Sequence, residues 1–219
     1  MRRRISLGCT FALTVVWVAA CGGKQPPPPP PEPPREEAPP PVVDRTAERE
    51  AAAQRLCERA RTAIEAGNYD TARELLQQAR REYSGTPCAE SAAAEIERVN
   101  ALQTLVERVH FEFDKSRITD EAAAVLQRKA EVLRRYPNVV LSIEGHCDER
   151  GSLEYNQALG MRRAESAKRY LAGLGVSVDA FRTASFGEER PLVNEHNESA
   201  WAMNRRDEFV LTDLGALGR

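Results

Sequence analysis

Eleven of the chain's 14 prolines lie between positions 26 and 41, six of them consecutive, and no other feature limits the fold so strongly. Proline holds φ near −65° and has no backbone N–H, so neither a helix nor a central strand passes through such a window. The chain is expected to run there as polyproline II. At ~3.1 Å per residue, the steps from Cys21 to Asp44 reach roughly 70 Å. Residues 21–43 therefore read as a Pro-rich, disordered tether. Service as a ligand for SH3-like domains is the competing reading, but an exported chain would meet few of them. About 175 of the 219 residues remain, enough for one medium domain or a small one plus a medium one.

Residues 1–20 read as an export signal. Arg2, Arg3 and Arg4 form a positive start, residues 5–18 are uncharged and mostly apolar, and Val18-Ala19-Ala20 supplies small residues for a signal peptidase. A transmembrane anchor is the alternative. Ser6, Gly8, Thr10 and Thr14 dilute the stretch, and Gly22-Gly23 close it short of the ~20 strongly apolar residues that a span needs. Val18-Ala19-Ala20-Cys21 resembles the bacterial lipobox. That resemblance implies a covalent lipid on Cys21, cleavage before it, and stable anchoring once two or three acyl chains are attached. With Gly22 in place of Asp, the enterobacterial sorting rule implies the outer membrane, with the protein facing the periplasm.

A hydrophobic fraction of 42% excludes a polytopic membrane protein. Without the three leading arginines, 28 basic residues face 33 acidic ones, and this mixed, mildly acidic body gives no footing for nucleic acid. Beyond Cys9 and Cys21 there remain Cys57, Cys88 and Cys147. No pair has metal-ligand spacing, so neither zinc nor another metal is expected. Cys57 and Cys88 are paired because both fall in one predicted helical segment, which leaves Cys147 free.

That segment spans 44–105. Gly67-Asn68-Tyr69-Asp70-Thr71-Ala72, then Leu75, Leu76 and Ala79, resembles the turn and second helix of one tetratricopeptide-type hairpin. Leu56, Ala60, Ala63 and Ile64 supply the stripe of a first helix, and residues 90–105 a third. A partner-binding hairpin and an Ala-rich helical spacer both remain open.

Residues 106–213 carry a β-α-β-α-β-β pattern, with a tail at 214–219. Val109, Phe111 and Phe113 alternate with polar residues as in a half-buried strand. Thr119 caps a helix that Arg134-Arg135 closes before Pro137, and residues 139–143 make a buried strand. Ser152 caps a long helix over 153–172, and strands follow at 181–186 and 207–212. The expected fold is α+β, with two helices on one face of a mixed four-stranded sheet. The small helical segment and the tether precede it.

The chemistry gathers at residues 145–151, which join the second strand to the second helix on the edge where open α/β layers bind ligands. Exposed amides at the helix start favour a carboxylate there. Asn156, Gly160 and Arg163 share one helix face, and a residue without bulk at 160 lets Arg163 lie back toward the loop carrying Asp148. A fixed carboxylate beside a fixed guanidinium suits a zwitterionic amino-acid centre, Asp148 taking the ammonium and Arg163 the carboxylate. A turn role for Asp148 and a surface ion pair for Arg163 compete with that reading. The residues by themselves leave both open.

Gly145-His146-Cys147-Asp148-Glu149-Arg150-Gly151, then Glu154-Tyr155-Asn156, Leu159-Gly160, Arg162-Arg163-Ala164 and Asn204-Arg205-Arg206, resembles the OmpA-like peptidoglycan-binding domain, and within it the peptidoglycan-associated lipoproteins. Phe111-Glu112-Phe113-Asp114 and Phe186-Gly187 followed by Pro191 extend the resemblance over nearly all of 109–211. It implies that Asp148 and Arg163 hold the diaminopimelate of an uncrosslinked stem peptide. It places Asp114, Phe113, Glu149, Arg150, Ser152 and Asn156 at the same pocket, and gives Asn204-Arg205-Arg206 a structural role. It further implies an outer-membrane lipoprotein that ties the membrane to the wall, with a Tol-system propeller of the TolB type and other Tol proteins as partners. Cys147 departs from the small residue usual there, and the helical insert departs from short family members.

Catalysis is not expected. His146, Cys147 and Asp148 are adjacent in sequence, so their side chains diverge and form no nucleophile–base relay. His110 and His146 lack a recognisable carboxylate partner, and His196 sits in a polar loop. The expectation is a binding module with no cofactor beyond the lipid on Cys21. The alternative is a periplasmic scaffold whose helical segment recruits partners while the wall-binding domain only positions it.

Overall fold

The computed structural model describes residues 45–218. The expected signal sequence, the lipid on Cys21 and the tether lie outside them.

Three helices come first. In α1 (Arg45–Glu65) the small stripe Ala53, Leu56, Ala60 and Ala63 is buried, and in α2 (Tyr69–Glu82) it meets Ala72, Leu75, Leu76 and Ala79. Gly67 makes the turn between them at φ +73°, a conformation that disfavours a side chain. Helix α3 (Pro87–Val106) starts three residues before the expected position 90. Proline is pre-formed for the first helical position, and the Thr86 hydroxyl accepts from Ala89 N behind it. A disulfide joins Cys57 of α1 to Cys88 of α3 with 6.2 Å between Cα atoms. Few large side chains pack these helices, so a cross-link over 31 residues matters, at about 2–4 kcal/mol.

The C-terminal half of α3 belongs to a second core. Ala101, Leu102 and Leu105 pack with Leu126, Leu141, Ile143, Leu171 and Phe209 of the α/β layer. Lys129, fully buried, donates to the carbonyls of Thr104 (2.8 Å) and Leu105 (2.7 Å) at the end of α3. Burial lowers the Lys129 pKa well below the ordinary lysine value, while the negative end of the helix that it faces favours the charged form.

The layer runs β1 (Val109–His110), α4 (Asp120–Arg135), β2 (Val140–His146), α5 (Leu153–Gly173), β3 (Phe181–Gly187), α6 (Glu198–Asn204) and β4 (Arg206–Asp213). The sheet order is β1-β4-β2-β3, parallel between β2 and β3 and antiparallel elsewhere. This is the expected α+β arrangement with one short helix added. Helix α6 escapes sequence reading because it is seven residues long and begins in a polar loop. Strand β1 is shorter than the alternation through Phe113 predicts. Phe111 N still bonds Arg205 O, but the chain then turns away and Asp114 takes φ +53°. Strand β2 is longer, since β4 and β3 go on pairing with Gly145 and His146.

Helix α5 lies against β2 at two glycines. A Cβ on Gly145 would sit 1.9 Å from the Gly160 carbonyl oxygen, and one on Gly160 would sit 2.8 Å from that of Gly145. The missing bulk at 160 thus serves backbone contact between helix and strand. That contact places the start of α5 beside the end of β2.

Candidate functional site

The loop from Cys147 to Ser152 is held at both ends. Asn156 Nδ2 donates to the carbonyls of Asp148 (3.2 Å) and Arg150 (3.3 Å), and the Ser152 hydroxyl caps α5 by accepting from Tyr155 N (3.2 Å). Asp148 is buried and ringed by cations. Its Oδ1 accepts from Arg150 N and Nε, each at 3.1 Å, and its Oδ2 from Arg150 Nη2 (2.7 Å) and Arg205 Nη1 (3.1 Å). Burial pulls its pKa up, but the bonds from Arg150 and Arg205 outweigh that and hold it below the ordinary value. Asp148 is a fixed anion at neutral pH.

Arg163, 1% exposed, stitches three segments together. Nε donates to Lys115 O (2.9 Å), Nη1 to His146 O (2.6 Å) and Cys147 Sγ (3.3 Å), and Nη2 to Glu112 O (3.3 Å). It does lie back toward the loop, as its helix position predicts. Four of its five N–H groups are spent on protein acceptors, which leaves one for a ligand. A two-pronged grip on a carboxylate is therefore not what this arrangement presents.

Asp148 and Arg163 line one cavity of about 230 Å³. Phe113, Asp114, Arg150 and Asn156 line it too, as do Cys147, Tyr155 and Leu159. Glu149 and Ser152 do not. The Glu149 carboxylate turns to His196 Nδ1 (2.7 Å) and Trp201 Nε1 (2.8 Å), and the Ser152 hydroxyl is spent on its cap. At the rim the Arg150 guanidinium lies between the rings of Phe113 (3.9 Å) and Trp201 (4.2 Å). The Tyr155 hydroxyl bonds Asp114, whose left-handed backbone is uncommon for a residue with a side chain. Two carboxylates, two guanidiniums and an aromatic edge around so small a space suit a compact zwitterion.

Sequence reading missed Tyr155 as a lining residue and Arg205 as a partner of Asp148. The Asn204-Arg205-Arg206 element was visible, but nothing in its spacing points to a residue 57 positions earlier. Cys147 is buried, and burial pushes its thiol up to about 11 against the opposing pull of Arg163. It stays protonated and unreactive at neutral pH.

One buried carboxyl stands apart from this network. Asp207 on β4 is 0% exposed, neither carboxyl oxygen has a hydrogen-bond partner, and burial raises its pKa well above normal despite Arg163 nearby. From about pH 4, its unfolded value, up to the raised folded value, the folded state keeps a proton that the unfolded state releases. Stability therefore falls as pH rises through that window. Asp207→Asn is expected to gain about 1–3 kcal/mol at pH 7, with the gain fading toward pH 4. Urea unfolding at both pH values checks this, and a loss at pH 7 would show the carboxylate to be charged and supported.

The OmpA family profile matches residues 110–205. The chain is 47% identical over 105 residues to the peptidoglycan-associated lipoprotein of Haemophilus influenzae, a match covering 48% of this chain and 69% of that one. It is 43% identical over 112 residues to the protein of the same name from Agrobacterium fabrum, covering 51% and 62%. Among solved structures, the peptidoglycan-associated lipoprotein from Burkholderia pseudomallei matches at 41% identity with a TM-score of 0.47, covering 48% of this chain and 89% of that one. The chain spans 62–65% of the length of the first curated relatives. Helices α1 to α3 precede the residues that the family profile matches.

Proposed function

The chain belongs to the peptidoglycan-associated lipoprotein family, and we propose that it is an outer-membrane lipoprotein that binds peptidoglycan non-covalently and ties the membrane to the wall. The observation that supports this most is the shared cavity of Asp148 and Arg163. Within it we assign the ligand as the diaminopimelate of an uncrosslinked stem peptide. Its ammonium goes to Asp148, whose charge is fixed by Arg150 and Arg205. Its carboxylate goes to the remaining N–H of Arg163 and to Arg150, the more exposed of the two cavity arginines. Arg150 has the aromatic faces of Phe113 and Trp201 beside it. The reading is one of binding and not of catalysis. Periplasmic facing, the lipid on Cys21 and a Tol-system propeller as partner are part of the same proposal, and rest on the sequence resemblance alone.

Sedimentation with purified peptidoglycan tests the site. Asp148→Asn keeps the shape of the side chain and removes its charge. It is expected to weaken binding by about 10- to 100-fold, in the range of one charge-assisted pair. Free meso-diaminopimelate should compete with the wild type. Because Asp148 titrates below the ordinary carboxylate value, wild-type binding should persist as pH falls to about 4. Undiminished binding by Asp148→Asn would sink the assignment.

A further inference from the structure

The face of the sheet turned away from α4 and α5 carries a second cluster. Strands β2 and β4 set Glu144 directly opposite Glu208, and His146 follows two residues later on the same side of β2. One ligand atom from each of the three lies within 4.8 Å of the others. His146 is 2% exposed, and neither ring nitrogen has a hydrogen-bond partner. Buried imidazole nitrogens without partners are rare, and so are carboxylates placed face to face, which repel. A shared cation would give the imidazole its missing partner and add to the relief that Arg206 and Arg108 already give Glu208.

We propose that Glu144, His146 and Glu208 form a binding site for a divalent transition-metal ion, with Zn²⁺ the best match. One imidazole and two carboxylates suit a borderline ion, whereas Ca²⁺ and Mg²⁺ favour all-oxygen shells. Tetrahedral zinc bonds of about 2.0–2.2 Å place ligand atoms roughly 3.3–3.6 Å apart, so a rotamer change in the two flexible glutamate arms is needed to close the present spacing. The surroundings orient the ligands. Phe186 stacks on the His146 ring with centroids 5.5 Å apart. Arg206 Nε (2.8 Å) and Arg108 Nε (3.0 Å) hold Glu208, and both bonds fall on Oε1. Burial, with Arg206 beside it, keeps the imidazole neutral and able to donate a lone pair. The guanidiniums of Arg108, Arg190 and Arg206 also oppose a cation, so the affinity is moderate. Spacing along the chain hides such a site, since its ligands come from two strands more than 60 residues apart.

Calorimetric titration of the full chain with ZnCl₂ tests the proposal. One saturable site is expected, weakened at least ~10-fold in both His146→Gln and Glu144→Gln and unchanged in His196→Gln. Glu144 is half-buried at the sheet surface, so Glu144→Gln keeps the test open should His146→Gln fail to fold. The proposal is overturned by the absence of saturable binding, by retained affinity in Glu144→Gln, or by a loss that follows His196→Gln. That last result would place zinc at the exposed Glu149–His196 pair.

Discussion

Gly145→Ala is expected to destroy the cooperative unfolding transition, at a cost on the order of 4 kcal/mol or more. The added Cβ would meet the Gly160 carbonyl oxygen at 1.9 Å and its carbon at 2.6 Å. Both are backbone atoms, so no rotamer relieves the clash. Neither partner is free to retreat: β2 is paired on both edges, and α5 is pinned by Asn156 and Arg163 to the loop before it. Separating helix from strand would also open the cavity wall, so binding should vanish with stability. Circular dichroism on heating and in urea measures it. A variant within about 1 kcal/mol of wild type would refute the close-packing account.

Arg163→Ala is expected to cost about 3–5 kcal/mol, because the carbonyls of Lys115, His146 and Glu112 lose their donor in a site where water does not reach them all. Arg163→Lys should recover only a minor part. A single ammonium cannot reach three carbonyls on separate segments as a planar guanidinium does. Wall binding should be lost in both variants, even at temperatures where they remain folded, since the loop bearing Asp148 is anchored through His146 O and Cys147 Sγ. Full binding by folded Arg163→Lys would restrict Arg163 to a structural role. Asp148→Asn separates the two contributions by removing ligand charge while leaving these carbonyl bonds in place.

What the residues announced in advance were local devices. Thr119 and Ser152 are hydroxyls one position before an amphipathic run, and each accepts from a backbone N–H three residues on, at 3.2 Å in both cases. Asp148 and Arg163 stood out by complementary charge on loop and helix face. A resemblance spread across several motifs favoured them and added Asp114 and Phe113, and the structure gathers the four at one cavity. Non-local contacts stayed hidden. Nothing in a spacing of 57 residues tells that Arg205 clamps Asp148, or that Glu208 would stand across from Glu144. The length of β1 also depends on such a contact. Its alternation favours a strand through Phe113, yet the left-handed turn at Asp114, beside the Tyr155 hydroxyl, ends it early. Helix α6 is too short for periodicity to show.

If the chain is joined to two surfaces, as proposed, it is pulled at its ends, and the disulfide determines where that pull travels. Load entering at Arg45 can peel α1 only as far as Cys57, where the covalent link passes it to Cys88 at the head of α3. The rest of α1 and the whole of α2 lie inside the closed loop and carry no tension. Force then runs down α3 into Leu102 and Leu105, buried with the sheet. With the bridge intact, the segment between Cys57 and Cys88 does not lengthen under load, and the strain is delivered to the core shared by α3 and the sheet. Reduction of that one bond would turn the same segment into slack.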